Sequence, residues 1–207
     1  MNQFAPLPSA ENPFSTDCVR PGAVPYVFPA GLAATVLLDR LQEGDWWGQI
    51  LGPHGSGKST LLATLAPAIR QSGRKVISIA LHDGQRRLPA EFRADCRSAF
   101  GTPAVVVIDG YEQLSLWSRW RLKTACRRGR LGLLVTSHAP VGLPELISTS
   151  VSAELARTLV ERLLADRHAP SIRRLGSEEI ATRLARHAGN MREVLMELYD
   201  VYEEGRD

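Results

Sequence analysis

The sequence predicts a three-layer α/β fold: a parallel five-stranded sheet covered by helices, followed by a small all-helical segment. Three observations carry this. Short apolar, β-branched runs alternate with amphipathic helical stretches from about residue 31 to residue 152, the pattern that parallel sheets with crossover helices produce. A glycine-rich loop stands between the first such run and the next helical stretch. Beyond residue 152 the strand signal stops and helical periodicity continues alone. The chain therefore reads as an arm (1–30), an α/β core (31–152) and a helical C-terminal subdomain (153–207).

The elements follow in order. Residues 1–30 hold six prolines and little periodicity, which reads as an extended arm rather than a helix. Leu32, Val36, Leu37 and Leu41 recur at helical spacing, and Gly44 ends that helix. WWGQIL at 46–51 is a short strand, and 59–72 a helix. KVISIAL at 75–81 is a buried strand. Residues 89–100 form a helix opened by Pro89. AVVVID at 104–109 is a continuous apolar run ending in a carboxylate, the mark of a strand buried on both faces. A helix over 114–128, a strand over 131–137 and a weaker strand over 146–151 complete the core. Residues 153–165 and 177–202 are helical, the second segment broken at Gly189-Asn190. Ser177 stands as an N-cap with Glu178 and Glu179 in the first turn.

Composition excludes several classes. Of 207 residues, 44% are hydrophobic and 23% charged, the proportions of an ordinary globular protein. The longest apolar runs fall far short of the roughly 20 residues that a membrane helix needs. MNQFAPLPSAENPF has neither the basic nor the apolar region of a signal peptide. Cys18, Cys96 and Cys126 are too scattered for a disulfide framework or a zinc site. They read as small buried thiols of a cytoplasmic protein. The net charge is +3, and the basic residues are almost all Arg; only Lys58, Lys75 and Lys123 are Lys.

The loop Gly52-Pro53-His54-Gly55-Ser56-Gly57-Lys58-Ser59 matches G-x-x-x-x-G-K-[ST] completely, in its required strand–loop–helix setting. Glycines let successive N–H groups point inward as an anion nest, reinforced by the following helix N-terminus. Lys58 would reach the β- and γ-phosphates of a nucleotide, Ser59 would ligate Mg²⁺, and Thr60 would lie near the α-phosphate. His54, at a variable position, reads as a solvated loop residue. These features predict a P-loop NTPase, and the absence of an Asn-Lys-x-Asp guanine signature favours ATP.

Ligands of open α/β sheets gather at the carboxyl ends of the strands. Asp109 is therefore the expected Mg²⁺-side acid, acting through water. Glu112 has two readings: orienting or deprotonating an attacking water, or stabilising the first turn of the following helix. Asp83 is a rival acid at the end of the second strand.

Taken together, the phosphate loop, the segment VVVIDGYEQL and LLVTSH resemble P-loop ATPases of the AAA+ and STAND (NACHT-like) groups, which insert an additional strand between the phosphate-loop strand and the acidic strand. LLVTSH is similar to their sensor-1 strand, with His138 where Arg is usual. The resemblance implies that Thr136 or Ser137 bonds the γ-phosphate or the water. Gly189-Asn190-Met191-Arg192-Glu193 resembles the sensor-2 motif of a helical lid, which implies that Arg192 touches the γ-phosphate; a surface Arg paired with a nearby Glu is the other reading. Residues 138–145 contain no Arg, whereas ring-forming AAA+ ATPases place an arginine finger there. The resemblance thus implies a switch acting through a protein partner rather than a motor. Tyr26 or Phe28 either lines an adenine pocket or packs on the core edge.

Arg119, Arg121, Lys123, Arg127, Arg128 and Arg130 crowd twelve positions without an acid, interleaved with Trp117 and Trp120. Two readings stand: a nucleic-acid surface, with Arg on phosphates and Trp on bases, or a solvated helix face whose Leu116, Trp117, Trp120 and Leu122 pack on the sheet. Three functions are consistent with the sequence: an ATP hydrolase switching conformation, a nucleotide-dependent adaptor with little turnover, and a small-molecule kinase. No acceptor pocket is visible for the last.

Overall fold

The computed structural model describes residues 12–166 and 176–204. The elements are α1 (Thr16–Val19), α2 (Ala34–Glu43), β1 (Trp47–Leu51), α3 (Lys58–Gln71), β2 (Lys75–Ala80), α4 (Ala90–Ser98), β3 (Ala104–Asp109), a 3₁₀ turn (Tyr111–Gln113), α5 (Leu116–Gly129), β4 (Gly132–Ser137), β5 (Glu145–Ser148), α6 (Ala153–Asp166), α7 (Ser177–Arg186) and α8 (Met191–Glu204). The described residues divide into two compact units: 25–53 with 57–150, and 12–24 with 54–56, 151–166 and 176–204.

In the first unit the five strands are parallel, in the order β2-β3-β4-β1-β5. The strand β4 lies between the phosphate-loop strand β1 and the acidic strand β3. The apolar run of β3 is explained by its two faces. Val106 and Ile108 enter a core with Phe92, Leu122 and Cys126. Val105 and Val107 enter a second core with Leu37, Leu41, Leu61, Leu65 and Ile69. Helices therefore cover both sides, which is why the run does not alternate with polar residues. Each such side chain stabilises the fold by roughly 1.5–3 kcal/mol relative to exposure. Buried Gln49 on β1 ties the loop after β4 to the sheet: its Nε2 donates to the Leu143 carbonyl (2.7 Å) and its Oε1 accepts from the Val141 amide (2.8 Å).

The second unit has its own core of Ala156, Val160, Leu163, Ile180, Leu184, Met191, Val194, Leu198 and Tyr202, joined by Phe14. This corrects the extended-arm reading. Residues 16–19 form a helical turn, and Phe14 is buried with its ring edge-on to Tyr202 at 6.5 Å. Asn12 Nδ2 donates to the Tyr199 carbonyl and to Glu203 Oε1. Prolines excluded a long helix but not this anchoring. Ser177 is likewise not a cap. Gly176 occupies the N-cap position of α7 with no side-chain bond, and Ser177 is the first helical residue.

Candidate functional site

The phosphate loop closes between the carboxyl end of β1 and the head of α3. Gly57 has φ +88°, and a Cβ there would lie 3.3 Å from the Tyr26 ring, so both conformation and space call for glycine. Lys58 is the first residue of α3 and is 8% exposed. Its Nζ donates to the carbonyls of Gly52 and Pro53, each at 2.7 Å, and meets His138 Nδ1 at 3.3 Å. Burial lowers the pKa of this ammonium from its ordinary value, while the charges of Glu112 and Asp109 act in the opposite direction. Ser59 and Thr60 follow, half-buried, on the first turn of α3. Pro53 and His54 are exposed, Gly55 is half-buried at φ +68°, and Ser56 is buried.

Asp109 ends β3, hydrogen-bonded to its neighbour strand through a side chain. Thr136 Oγ1 on β4 donates to Asp109 Oδ1 at 2.6 Å and accepts from the Gly110 amide at 2.8 Å. Thr136 is fully buried. Its hydroxyl joins Asp109 to the Gly110 amide. Ser137 is also buried and bonds Ala139. Gly110 has φ +79°, and a Cβ there would stand 2.9 Å from the Leu81 carbonyl oxygen. The chain can turn away from β3 at this point because the residue is glycine.

That turn delivers Glu112. The helix expected from 114 begins at Leu116, capped by Ser115, whose Oγ accepts from the Ser118 amide at 3.2 Å. Glu112 instead sits in the 3₁₀ turn before it. Its Oε1 accepts from His138 Nε2 at 2.8 Å, and its Oε2 is buried without a hydrogen-bond partner among the described residues. His138 Nδ1 lies 3.0 Å from the Gly52 carbonyl oxygen and 3.3 Å from Lys58 Nζ, and the ring tautomer sets which of the two it bonds. Lys58, His138 and Glu112 thus stand in one line of polar contacts. Beneath the turn, Arg119 donates from Nε to the Leu114 carbonyl (2.8 Å) and from Nη2 to the Glu112 carbonyl (2.7 Å), its guanidinium 5.5 Å from the Tyr111 ring centroid. His138 and Arg119 were missed in these roles. The only signal for either was the unusual His after LLVTS.

Asp83 is exposed and accepts from Gln113 Nε2. Tyr26 and Phe28 pack edge-to-face at 5.0 Å against the α3-side core, and the Tyr26 amide donates to Thr64 Oγ1. Arg192 is the second residue of α8 and exposed, its amide donating to Asn190 Oδ1. Cys18, Cys96 and Cys126 are buried thiols outside any disulfide; burial pushes Cys96 up to about 11 and Cys126 up to about 12. No helix among the described residues is long and apolar enough to cross a membrane.

On α5 the reading of a face packed on the sheet needs correction. Leu122 is buried, but Leu116, Trp117 and Trp120 are exposed rather than packed on the sheet. Of the six cations, Arg119 folds under the turn as above and Lys123 donates to the Val141 carbonyl at 2.6 Å, while Arg127, exposed, lies over the Trp47 ring at 5.4 Å.

No family model matches the sequence, and no curated protein matches it. Solved structures do. The replication initiator DnaA bound to AMPPCP and single-stranded DNA aligns over 87% of this chain and 64% of its own, with TM-score 0.57 and 13% identity. At that identity the likeness is one of fold, a parallel five-stranded sheet with flanking helices. AMPPCP-bound DnaA from Aquifex aeolicus aligns over 77% of this chain and 62% of its own, with TM-score 0.49 and 15% identity. The chain thus spans less than two thirds of the length of these DnaA structures.

Proposed function

We propose that this AAA+ fold binds ATP with Mg²⁺ and hydrolyses it to ADP and phosphate, using the cycle as a conformational switch that acts through a partner. One observation carries the reading. Glu112 has one carboxylate oxygen held by His138 and the other buried and unpartnered, on the same line of polar contacts as the phosphate-loop Lys58. A buried acceptor without a donor is costly and marks a functional position. That the DnaA of similar fold was solved with AMPPCP supports a nucleotide ligand.

In this reading Lys58 exchanges the carbonyls of Gly52 and Pro53 for β- and γ-phosphate oxygens. The loop amides and the head of α3 hold the remaining charge. Glu112 Oε2 accepts a proton from the water that attacks the γ-phosphorus, while the bond to the β-phosphate oxygen breaks and ADP leaves. Ser59 Oγ and the Asp109 carboxylate, the latter through water, are the oxygen donors for Mg²⁺. A hydroxyl and one carboxylate fit an ion that keeps waters and phosphate oxygens as its other ligands, and no larger acidic or His/Cys cluster occurs among the described residues. When bound, the ion would supply positive charge to the phosphates of the nucleotide. A STAND-like switch suits the Asp109-Gly110-Tyr111-Glu112 order and the lack of Arg in 138–145.

The second reading, a nucleotide-dependent adaptor with little turnover, is favoured by the His138 bond that restrains Glu112. Calorimetry with Mg²⁺-ATP and steady-state phosphate release separate the two. Tight binding with turnover that Glu112→Gln abolishes supports hydrolysis. Tight binding without turnover selects the adaptor, and no binding removes both. ADP formed only when an acceptor is supplied would reveal a kinase.

A further inference from the structure

A cleft of about 340 Å³ opens at the amino ends of the strands, the end of the sheet opposite the phosphate loop. The turn before β1, the residue before β2 and the turn from α5 into β4 line it, all within the sheet unit. That volume is in the range of small-molecule sites. Two indoles and three guanidiniums meet there, those of Trp46, Trp47, Arg74, Arg127 and Arg130, with Asp45 as the one carboxylate. The Arg74 Cζ lies 4.2 Å from the Trp46 ring centroid, and the Arg127 Cζ 5.4 Å from that of Trp47. Stacking on an indole fixes the plane of a guanidinium and leaves its N–H edge for an acceptor. Among the described residues no carboxylate lies within 4.0 Å of Arg74, Arg127 or Arg130. Burial lowers the Arg74 pKa from its ordinary value, the mark of a cation partly stripped of water.

The backbone gives a second, independent observation. Of the four non-glycine residues with positive φ among those described, three line this cleft: Asp45 (+53°), Trp46 (+66°) and Arg130 (+55°). Such conformations cost stability, persist only where the surroundings hold them, and gather at ligand sites. The surroundings of Trp46 do hold it. Its amide donates to the Leu41 carbonyl at 2.7 Å, and its carbonyl accepts from the Leu133 amide at 2.8 Å. A Cβ on Gly132 would lie 2.6 Å from the Trp46 Cβ, so glycine is what lets β4 start against this residue. Arg130 is the left-handed C-cap of α5. Glycine would be the less strained residue at such a cap, so the arginine serves something other than the turn.

We propose that this cleft binds a small organic phosphate, its dianion held by Arg74, Arg127 and Arg130 and its apolar body against the indoles of Trp46 and Trp47. Guanidinium forks suit phosphate oxygens. Three guanidiniums against one carboxylate leave an excess of two positive charges, which a phosphate monoester of about −1.5 to −2 matches and a single carboxylate does not. The indoles supply the apolar surface that inorganic phosphate would leave unused. The site is separate from the phosphate loop and needs none of its residues.

The chain has four tryptophans, so its indole N–H resonances test this in the full-length protein, with 1-naphthyl phosphate as the probe. Trp117→Phe and Trp120→Phe assign the two signals from the exposed face of α5. The Trp46 and Trp47 signals should then move saturably with the probe while the other two stay. Inorganic phosphate and 1-naphthoate should each bind at least about tenfold more weakly, one lacking the apolar body and the other the second charge. Arg74→Gln should weaken binding by about tenfold or more, the loss of a charge-assisted bond. Arg130→Gly should do the same while raising the melting temperature, because glycine relieves the +55° φ; loss of binding in a more stable protein is not misfolding. Lys58→Ala should leave the probe's affinity unchanged. The proposal is overturned if the Trp46 and Trp47 signals do not move, or if 1-naphthoate binds as tightly as the phosphate. It is equally overturned if binding survives both arginine substitutions, or if Lys58→Ala abolishes it, which would assign the probe to the phosphate loop.

Discussion

Lys58 carries more of the site than its motif implies. Its ammonium bonds the two loop carbonyls and meets His138, which in turn contacts Glu112. Lys58→Ala therefore removes both a phosphate ligand and one end of that line. Phosphate release is expected to fall by about 10²-fold or more, the loss typical of a transition-state charge donor, with weaker Mg²⁺-ATP binding in calorimetry. Thr136→Val isolates a different contact: it keeps shape but leaves Asp109 Oδ1 and the Gly110 amide without their shared hydroxyl. A loss of about 1–3 kcal/mol in chemical denaturation is expected, with a lower apparent affinity for Mg²⁺. Lys58, Ser59 and Asp109 were legible in the sequence because their positions follow from a local loop and a strand end. The Thr136–Asp109 bond and the His138–Glu112 pair were not. They depend on β4 lying beside β3 and on side chains meeting across strands, which spacing along one chain does not encode.

At the scale of elements, the turn before α5 and the α7–α8 pair show how side chains fix backbone. Arg119 donates twice into the turn that holds Glu112, so Arg119→Ala is expected to lower kcat while sparing ATP affinity, a split that kinetic titration would resolve. The sequence marked Arg119 as one of six surface cations, since composition cannot tell a cation facing solvent from one folded under a turn. On α8, Glu197 accepts from Arg183, Arg186 and His187. The His187 hydrogen bond, with the two arginines, holds its carboxyl below the usual glutamate range. A folded-state value below the unfolded one adds stability that is fully present above the unfolded value and is lost as pH falls through the folded value. Thermal melts should therefore show the helical unit weakening as pH drops from the ordinary glutamate range downward. Glu197→Gln should flatten that dependence; an unchanged slope would assign it to other carboxylates.

Across the molecule, the two units have separate hydrophobic cores, one on each face of the sheet and one among the C-terminal helices, and the boundary in the arm reflects this. Residues 12–24 join the helical unit and residues 25–30 the sheet unit. A proline-rich stretch reads as uniform in sequence, yet Phe14 packs with α8 while Tyr26 and Phe28 pack with α3; contacts that distant leave no local periodicity. Leu61 is fully buried in the sheet unit and Leu198 in the helical unit, and truncating either to Ala should cost about 2–5 kcal/mol by cavity formation. The costs should not spread evenly. Native proteins open in cooperative parts that coincide with such cores, and chains with more than one core depart from two-state unfolding. Native-state hydrogen exchange on Leu198→Ala should show faster exchange in α6, α7 and α8 with β1, β3 and β4 still protected, because the sheet amides are bonded within their own ladder. Leu61→Ala should loosen α2, α3 and the sheet, and leave α8 protected. If either substitution accelerates exchange equally in both units, the chain unfolds as one cooperative body, and the independence of its two units fails.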